Sequence, residues 1–165
     1  MATKVRSELN LSLRAAVLFR WGIAAVFALV FAAAAPATAS EAETLEIVTA
    51  TGPHIFGVEI AADDASREQG LMFRRHMPEN QGMLFEFDKS IAVNFWMKNT
   101  YIALDLIFVA EDGTISRIAA NAQPFSESLI PSGPPCKAVL ELNGGGAAKI
   151  SLKIGDHIHH PFFAH

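Results

Sequence analysis

Six residues between positions 74 and 141 have the chemistry a polar site needs: Arg74, Trp96, Lys98, Asn99, Asp105 and Glu141. Asp105 sits inside the aliphatic run Leu104-Asp105-Leu106-Ile107-Phe108, and Glu141 inside Val139-Leu140-Glu141-Leu142. A carboxylate on a half-buried strand needs a partner, because an unpaired buried charge is expensive. Lys98 and Arg74 are the candidates to supply one. If these groups converge on one cleft beside Trp96, they form a binding site for a small polar ligand. They can also support acid–base chemistry of a hydrolytic kind. Asp105 or Glu141 would then be the acid or base, and Lys98 or Arg74 the electrostatic stabiliser. The same residues fit a structural reading, with an ion pair, a Trp96 core plug and an Asn99-Thr100 turn.

Other residues suggest other chemistry. Met72, Met77, Met83 and Met97 fall in one stretch with His76. Thioether and imidazole ligands select Cu(I), so copper handling is a further alternative. Methionine is equally a gap filler in small cores, so no metal ligand is assigned. His157, His159, His160 and His165 gather at the end of the chain. His157 and His159 share a strand face, but without the spacing of an established metal motif. Gly144-Gly145-Gly146 offers free amides to an anion, yet lacks the spacing of a nucleotide loop. Cys136 is the one cysteine, so no internal disulfide is possible and no Cys-x-x-Cys exists. It is either a reactive thiol beside Pro134-Pro135 or a small buried apolar group. No Gly-x-Ser-x-Gly occurs. No catalytic residue and no cofactor are assigned.

The elements that must position these groups are short. Leu45–Val48 and Ile55–Ala61 read as a hairpin around Thr51-Gly52-Pro53. Asp63-Asp64 can cap a helix over Ala65–Met72, with Gly70 near its end. Met83–Phe87 and Ala92–Met97 are strand-like, parted by a turn at Asp88-Lys89-Ser90. Leu104–Ala110 is the clearest strand; Glu111-Asp112-Gly113 turns it into Thr114–Ala119. Asn121–Pro135 reads as loop, Lys137–Leu142 as strand, Ala147–Leu152 as a short helix, and His157–Phe162 as a last strand. Alternation puts Asp105 with Ile107 and Val109 on one face, and Leu104, Leu106 and Phe108 on the other. The fold class expected is mainly β, an antiparallel sandwich or distorted barrel with one or two short helices.

The chain has 165 residues, enough for one domain, and is 51% apolar. Much of that excess lies in Trp21–Ala35, which carries no charge. Lys4, Arg6, Arg14 and Arg20 precede it, and Pro36 and Ala37-Thr38-Ala39 follow it. This is the order of a signal peptide over 1–39, with a basic region at 1–20, an apolar region at 21–35 and cleavage after Ala39. The apolar run is shorter than the roughly 20 residues a spanning helix needs. The expected product, 40–165, is a periplasmic or extracellular domain with no stable membrane span after processing. It carries nine basic and sixteen acidic residues, a net charge of −7 with histidine neutral. Such a domain repels phosphate backbones, so nucleic acid is not an expected partner.

Several segments are more specific than these patterns. They are Gly70-Leu71-Met72, Gly82-Met83-Leu84-Phe85, Phe95-Trp96-Met97-Lys98-Asn99-Thr100, Leu104–Phe108, Asp112-Gly113, Val139–Leu142 and Gly155-Asp156. Together they resemble the domain-of-unknown-function-192 family over about Glu46 to Ile158. The resemblance implies a small, mainly β domain, often behind a signal peptide. It implies no established activity, catalytic residue or cofactor. The glycine-rich run Asn143–Gly146 departs from the family pattern, and the histidine-rich tail adds to it. The expected function is therefore a non-catalytic exported module that binds an unknown small molecule or an envelope protein near Trp96–Asp105. A hydrolase and a copper-handling protein are the alternatives.

Overall fold

A computed structural model describes residues 42–163, which fall within one compact unit, Thr38–His165. The segment 1–39, expected to be a signal peptide, and His165 lie outside the described residues. The first hairpin forms because Leu45 and Ile47 in β1 (Glu43–Thr49) and Phe56 and Val58 in β2 (Gly52–Ala61) alternate to one buried face. Thr49 pairs with Gly52 across a two-residue turn at Ala50-Thr51.

From β2 the chain passes through α1 (Asp64–Gln69) and joins β3 (Gln81–Ile91) in parallel, an arrangement that requires a crossover. Asp63 caps α1 in a reciprocal box with Ser66. The helix stops at Gln69 rather than Met72, because Gly70 reverses the chain at φ +47. The other pairings of the main sheet are antiparallel.

Asp88-Lys89-Ser90 does not break the sheet. It lies within β3, where the register against β8 shifts between Glu86 and Ile91. The Lys137 ammonium donates to the Asp88 carbonyl at 2.8 Å and holds this bulge. Of the segment Ala92–Met97, two residues form a strand, β4 (Asn94–Phe95), which pairs with β7 (Ile130–Pro131) outside the main sheet. β5 (Leu104–Val109), β6 (Ile115–Ala122) and β8 (Cys136–Asn143) supply the centre and one edge. After α2 (Gly146–Lys149), β9 (His157–His159) pairs with β1 at the other edge.

The seven-stranded order is β6-β5-β8-β3-β2-β1-β9. Its two edges approach one another: Ile158 N–H donates to the Gly113 carbonyl at 2.9 Å, and Ile115 N–H to Asp156 at 2.8 Å. The sheet is thus curled into a half-barrel. One apolar cluster, including Leu45, Ile47, Val58, Leu84, Ile107, Leu140 and Ile158, draws on all seven strands and fills the interior. A second, including Leu71, Met83, Phe85, Met97, Leu106, Phe108 and Val139, covers the outer face of β3, β8 and β5. Every residue of β5 is therefore buried. Among the described residues no helix is long and apolar enough to cross a membrane.

Candidate functional site

Register decides where the two buried acids go. Asp105 on β5 stands opposite Leu142 on β8, and Leu106 stands opposite Glu141. Asp105 therefore faces the barrel interior beside Ile107, while Glu141 faces the outer cluster beside Met83, its partner on β3.

Asp105 is fully satisfied. Its carboxylate accepts from the backbone N–H of Asn121 at 2.7 Å, Gly145 at 3.1 Å and Ala147 at 2.9 Å. It anchors the glycine turn and the start of α2 to the barrel. The Gly144–Gly146 run thus has its anion already, supplied from within the chain.

Glu141 is the opposite case. It is 4% exposed, and burial alone pushes its carboxyl up to about 8. No cation and no hydrogen bond from the described residues counters that effect. Glu141 lines a cavity of about 340 Å³ between α1 and the outer face of the sheet. The walls are Phe85 and Phe87 from β3, Val93 to Trp96 around β4, Thr100, and Arg67 to Met72 from α1 and its exit. The Phe85 and Phe95 rings meet edge to face at 5.0 Å. Trp96 is 44% exposed, at the mouth.

The polar groups around Glu141 are already engaged. Arg67 donates to the carbonyls of Ala62 and Glu86 and pairs with Asp64 at 2.6 Å. The Thr100 hydroxyl donates to the Lys98 carbonyl at 3.2 Å. Glu68, Gln69 and Asn94 complete the polar lining, and all three are exposed.

Of the six residues singled out by sequence, the structure brings Trp96 and Glu141 to this cavity. Lys98 lies beside it, with its ammonium 5.1 Å from the Trp96 ring centroid. Asn99 adopts φ +55 and turns its amide toward Met72, a cavity residue, at 3.9 Å. Arg74 is committed elsewhere, in a two-pronged ion pair with Glu59 at 2.5 Å. That hydrogen-bonded pair raises the Arg74 pKa further. Asp105 lies on the far side of the sheet. Phe85, Phe87 and Phe95 were not singled out, because their meeting depends on strand register, which no local pattern reveals.

The remaining candidates divide between core and surface. Met77, Met83 and Met97 are buried in the outer cluster, Met72 lines the cavity, and His76 is exposed beside a different cleft. Cys136 is buried, and burial pushes its thiol up to about 11. His157 contacts the Asp112 carbonyl at 2.5 Å, and His159 pairs with Glu46 at 3.1 Å. His160 is buried with its Nε2 3.3 Å from Glu43. Among the described residues no group of three His, Cys, Asp or Glu side chains is placed to hold a metal ion. A wider cleft near α2 is lined by His54, Glu79, Asn143 and Lys149. Three of its polar groups are engaged within it, Lys149 with Glu79 at 2.7 Å and Asn143 with the Met77 carbonyl at 2.9 Å.

The family DUF192, described as "Uncharacterized ACR", matches residues 46–160. Two solved structures resemble the chain closely. A proposed transcription regulator from Sinorhizobium meliloti 1021 is 46% identical with a TM-score of 0.71, over 73% of this chain and 95% of that one. A protein of unknown function from Novosphingobium aromaticivorans DSM 12444 is 38% identical with a TM-score of 0.73, over 76% of this chain and 90% of that one. No curated protein matches.

Proposed function

We propose that this chain, which belongs to the DUF192 family, is an exported module that binds a small organic molecule in the aromatic cavity over Glu141. One observation carries the reading: a buried carboxyl without a partner among the described residues, set in the wall of a cavity. A buried acid with no partner is a standing cost to the fold. Such groups cluster at functional sites, where the partner is the ligand. The volume lies at the small end of the range for ligand pockets, which favours a small molecule over a protein segment. Export is supported by the basic residues up to Arg20, the uncharged run Trp21–Ala35 and the small residues Ala37-Thr38-Ala39.

The raised Glu141 carboxyl also suits general acid catalysis near neutral pH. Hydrolysis asks for a second group to activate water or stabilise charge. Of the cavity's lining groups, Arg67 and Thr100 are engaged with other protein groups, and Glu68 is exposed on α1. Binding without turnover is therefore the reading we favour. Gene regulation, which the name of the Sinorhizobium protein suggests for that protein, is not extended to this chain. Residues 42–163 hold nine basic and fifteen acidic side chains, and Arg67, Arg74 and Lys149 are each paired with an acid.

The test is a fragment titration followed by two-dimensional amide NMR. Shifts confined to Gly70, Met72, Phe85 and Val93–Trp96 are expected. Shifts scattered over the surface, or none from any fragment, would overturn the reading.

A further inference from the structure

We infer that the occupant of this cavity is a small organic cation: a primary or secondary ammonium group on an apolar or aromatic body. The inference rests on the proposed binding function and names its ligand class. It follows from what the cavity contains and lacks. The buried polar end is an acid, Glu141, and among the described residues no cation reaches it. Arg67, the basic residue among the lining groups, is held by Asp64 and two carbonyls. The other charged lining group is a second acid, Glu68. Phe85, Phe87, Phe95 and Trp96 complete the walls; Arg67 already lies over Phe87 and Lys98 over Trp96, so the Phe85 and Phe95 rings are the ones left to a ligand, and aromatic rings attract cations more strongly as water is excluded. The field of the acidic domain acts in the same direction. An ammonium N–H donated to the Glu141 carboxylate makes a charge-assisted hydrogen bond. The apolar body then replaces water against the phenylalanines.

The alternative is a neutral ligand that accepts a hydrogen bond from protonated Glu141. The two occupants differ in sign with pH. A cation needs the carboxylate, so its affinity rises with pH until Glu141 has ionised. A neutral acceptor needs the carboxylic acid, so its affinity falls over the same range. The titratable groups that line the cavity with Glu141 are Arg67 and Glu68, both from α1.

The probes are benzylammonium, phenethylammonium and cyclohexylammonium ions, each paired with its neutral alcohol. They are titrated calorimetrically into the full chain at pH 6, 7 and 8. The expected result is at least tenfold tighter binding of ammonium than of alcohol at pH 8, with ammonium affinity rising several-fold per unit from pH 6. Glu141→Gln is expected to weaken ammonium binding at least tenfold and alcohol binding less than twofold, with its melting temperature showing that the variant is folded. Phe95→Leu tests the aromatic wall and is expected to weaken ammonium more than alcohol. Alcohols that bind as well as or better than ammonium ions would overturn the cation and leave the binding cavity standing. Binding of neither class would overturn both.

Discussion

Asp105 and Glu141 lie on adjacent central strands, one register step apart, and therefore on opposite faces of the same sheet. Three backbone amides answer Asp105, and among the described residues no group answers Glu141. The first acid holds the fold together and the second costs it stability. Substitution should separate those roles.

Glu141→Gln is expected to stabilise the protein, increasingly so as pH rises. The folded carboxyl titrates at about 8, against an ordinary value of 4.5. Between those values the folded state keeps a proton that the unfolded chain has released. Stability then falls as pH rises, by about 1.4 kcal/mol per unit at most. Glutamine does not titrate. Urea unfolding at pH 5 and pH 8 should show a gap between variant and wild type that widens by roughly 2–4 kcal/mol. A gap that narrows with pH would mean that Glu141 is ionised in the fold.

Asp105→Asn is expected to act in the other direction. The amide keeps one acceptor oxygen and turns an N–H₂ group toward backbone donors. Hydrogen bonds to a charged group contribute about 1.5–3 kcal/mol each, and buried donors left without a partner cost as much again. A loss of about 3 kcal/mol or more is expected in urea unfolding. Fragment binding at the cavity should be unchanged wherever the variant is folded. A lost affinity with intact stability would mean that Asp105 communicates with the site through the sheet.

Much of the fold was legible because its signals are local. The alternation in Leu104–Val109 placed Asp105 with Ile107 and Val109, and those residues do face the interior. Asp63 caps the first helix as its side chain suggests, and Gly113 lies at the turn after β5. What was not legible is set by register between strands distant in sequence. A slip of one residue between β5 and β8 would have put Asp105 opposite Glu141, on one face. The same ignorance hid the Arg74 partner, since Glu59 lies on β2, which meets β3 only through a crossover. Asp88-Lys89-Ser90 looked like a turn because polar clusters usually are. Here a bulge, held by Lys137 from β8, lets the strand run through it.

Acid should loosen the C-terminal edge through His160. This side chain is buried, and burial lowers its pKa against the opposing pull of Glu43. Glu86 faces it at 4.0 Å, and Lys137 lies over the neighbouring Phe162 ring. The unfolded chain takes up its proton first as pH falls through 6.5, so stability contributed by neutral His160 is lost below that value. Burial and Glu43 raise the Glu86 pKa, so its own contribution runs the opposite way with pH and belongs nearer 4.5. His160→Gln is expected to shrink the fall in melting temperature between pH 7 and pH 5.5. An unchanged fall would assign the acid sensitivity to other groups.

Export makes a prediction about mass. Cleavage after Ala39 leaves a protein that begins at Ser40, three residues before β1 starts at Glu43. Intact mass and N-terminal sequencing of protein recovered outside the cytoplasm should find Ser40. A chain that keeps Trp21–Ala35 would point to an anchor instead.

Gly70 and Gly145 allow the cavity wall to be tested apart from backbone strain. Both have positive φ, at +47 and +84, where a side chain is disfavoured. At Gly145 a Cβ would meet nothing within 4 Å, so Gly145→Ala carries the backbone penalty alone, about 1 kcal/mol. At Gly70 a Cβ would sit 3.1 Å from Cζ of Phe85, which lines the cavity. Gly70→Ala therefore adds pressure on that ring to the strain. It should be the more destabilising of the two, by about 1–2 kcal/mol. It should also weaken fragment binding several-fold, whereas Gly145→Ala should leave binding unchanged. Equal effects of the two on affinity would mean that the Phe85 wall does not shape the site.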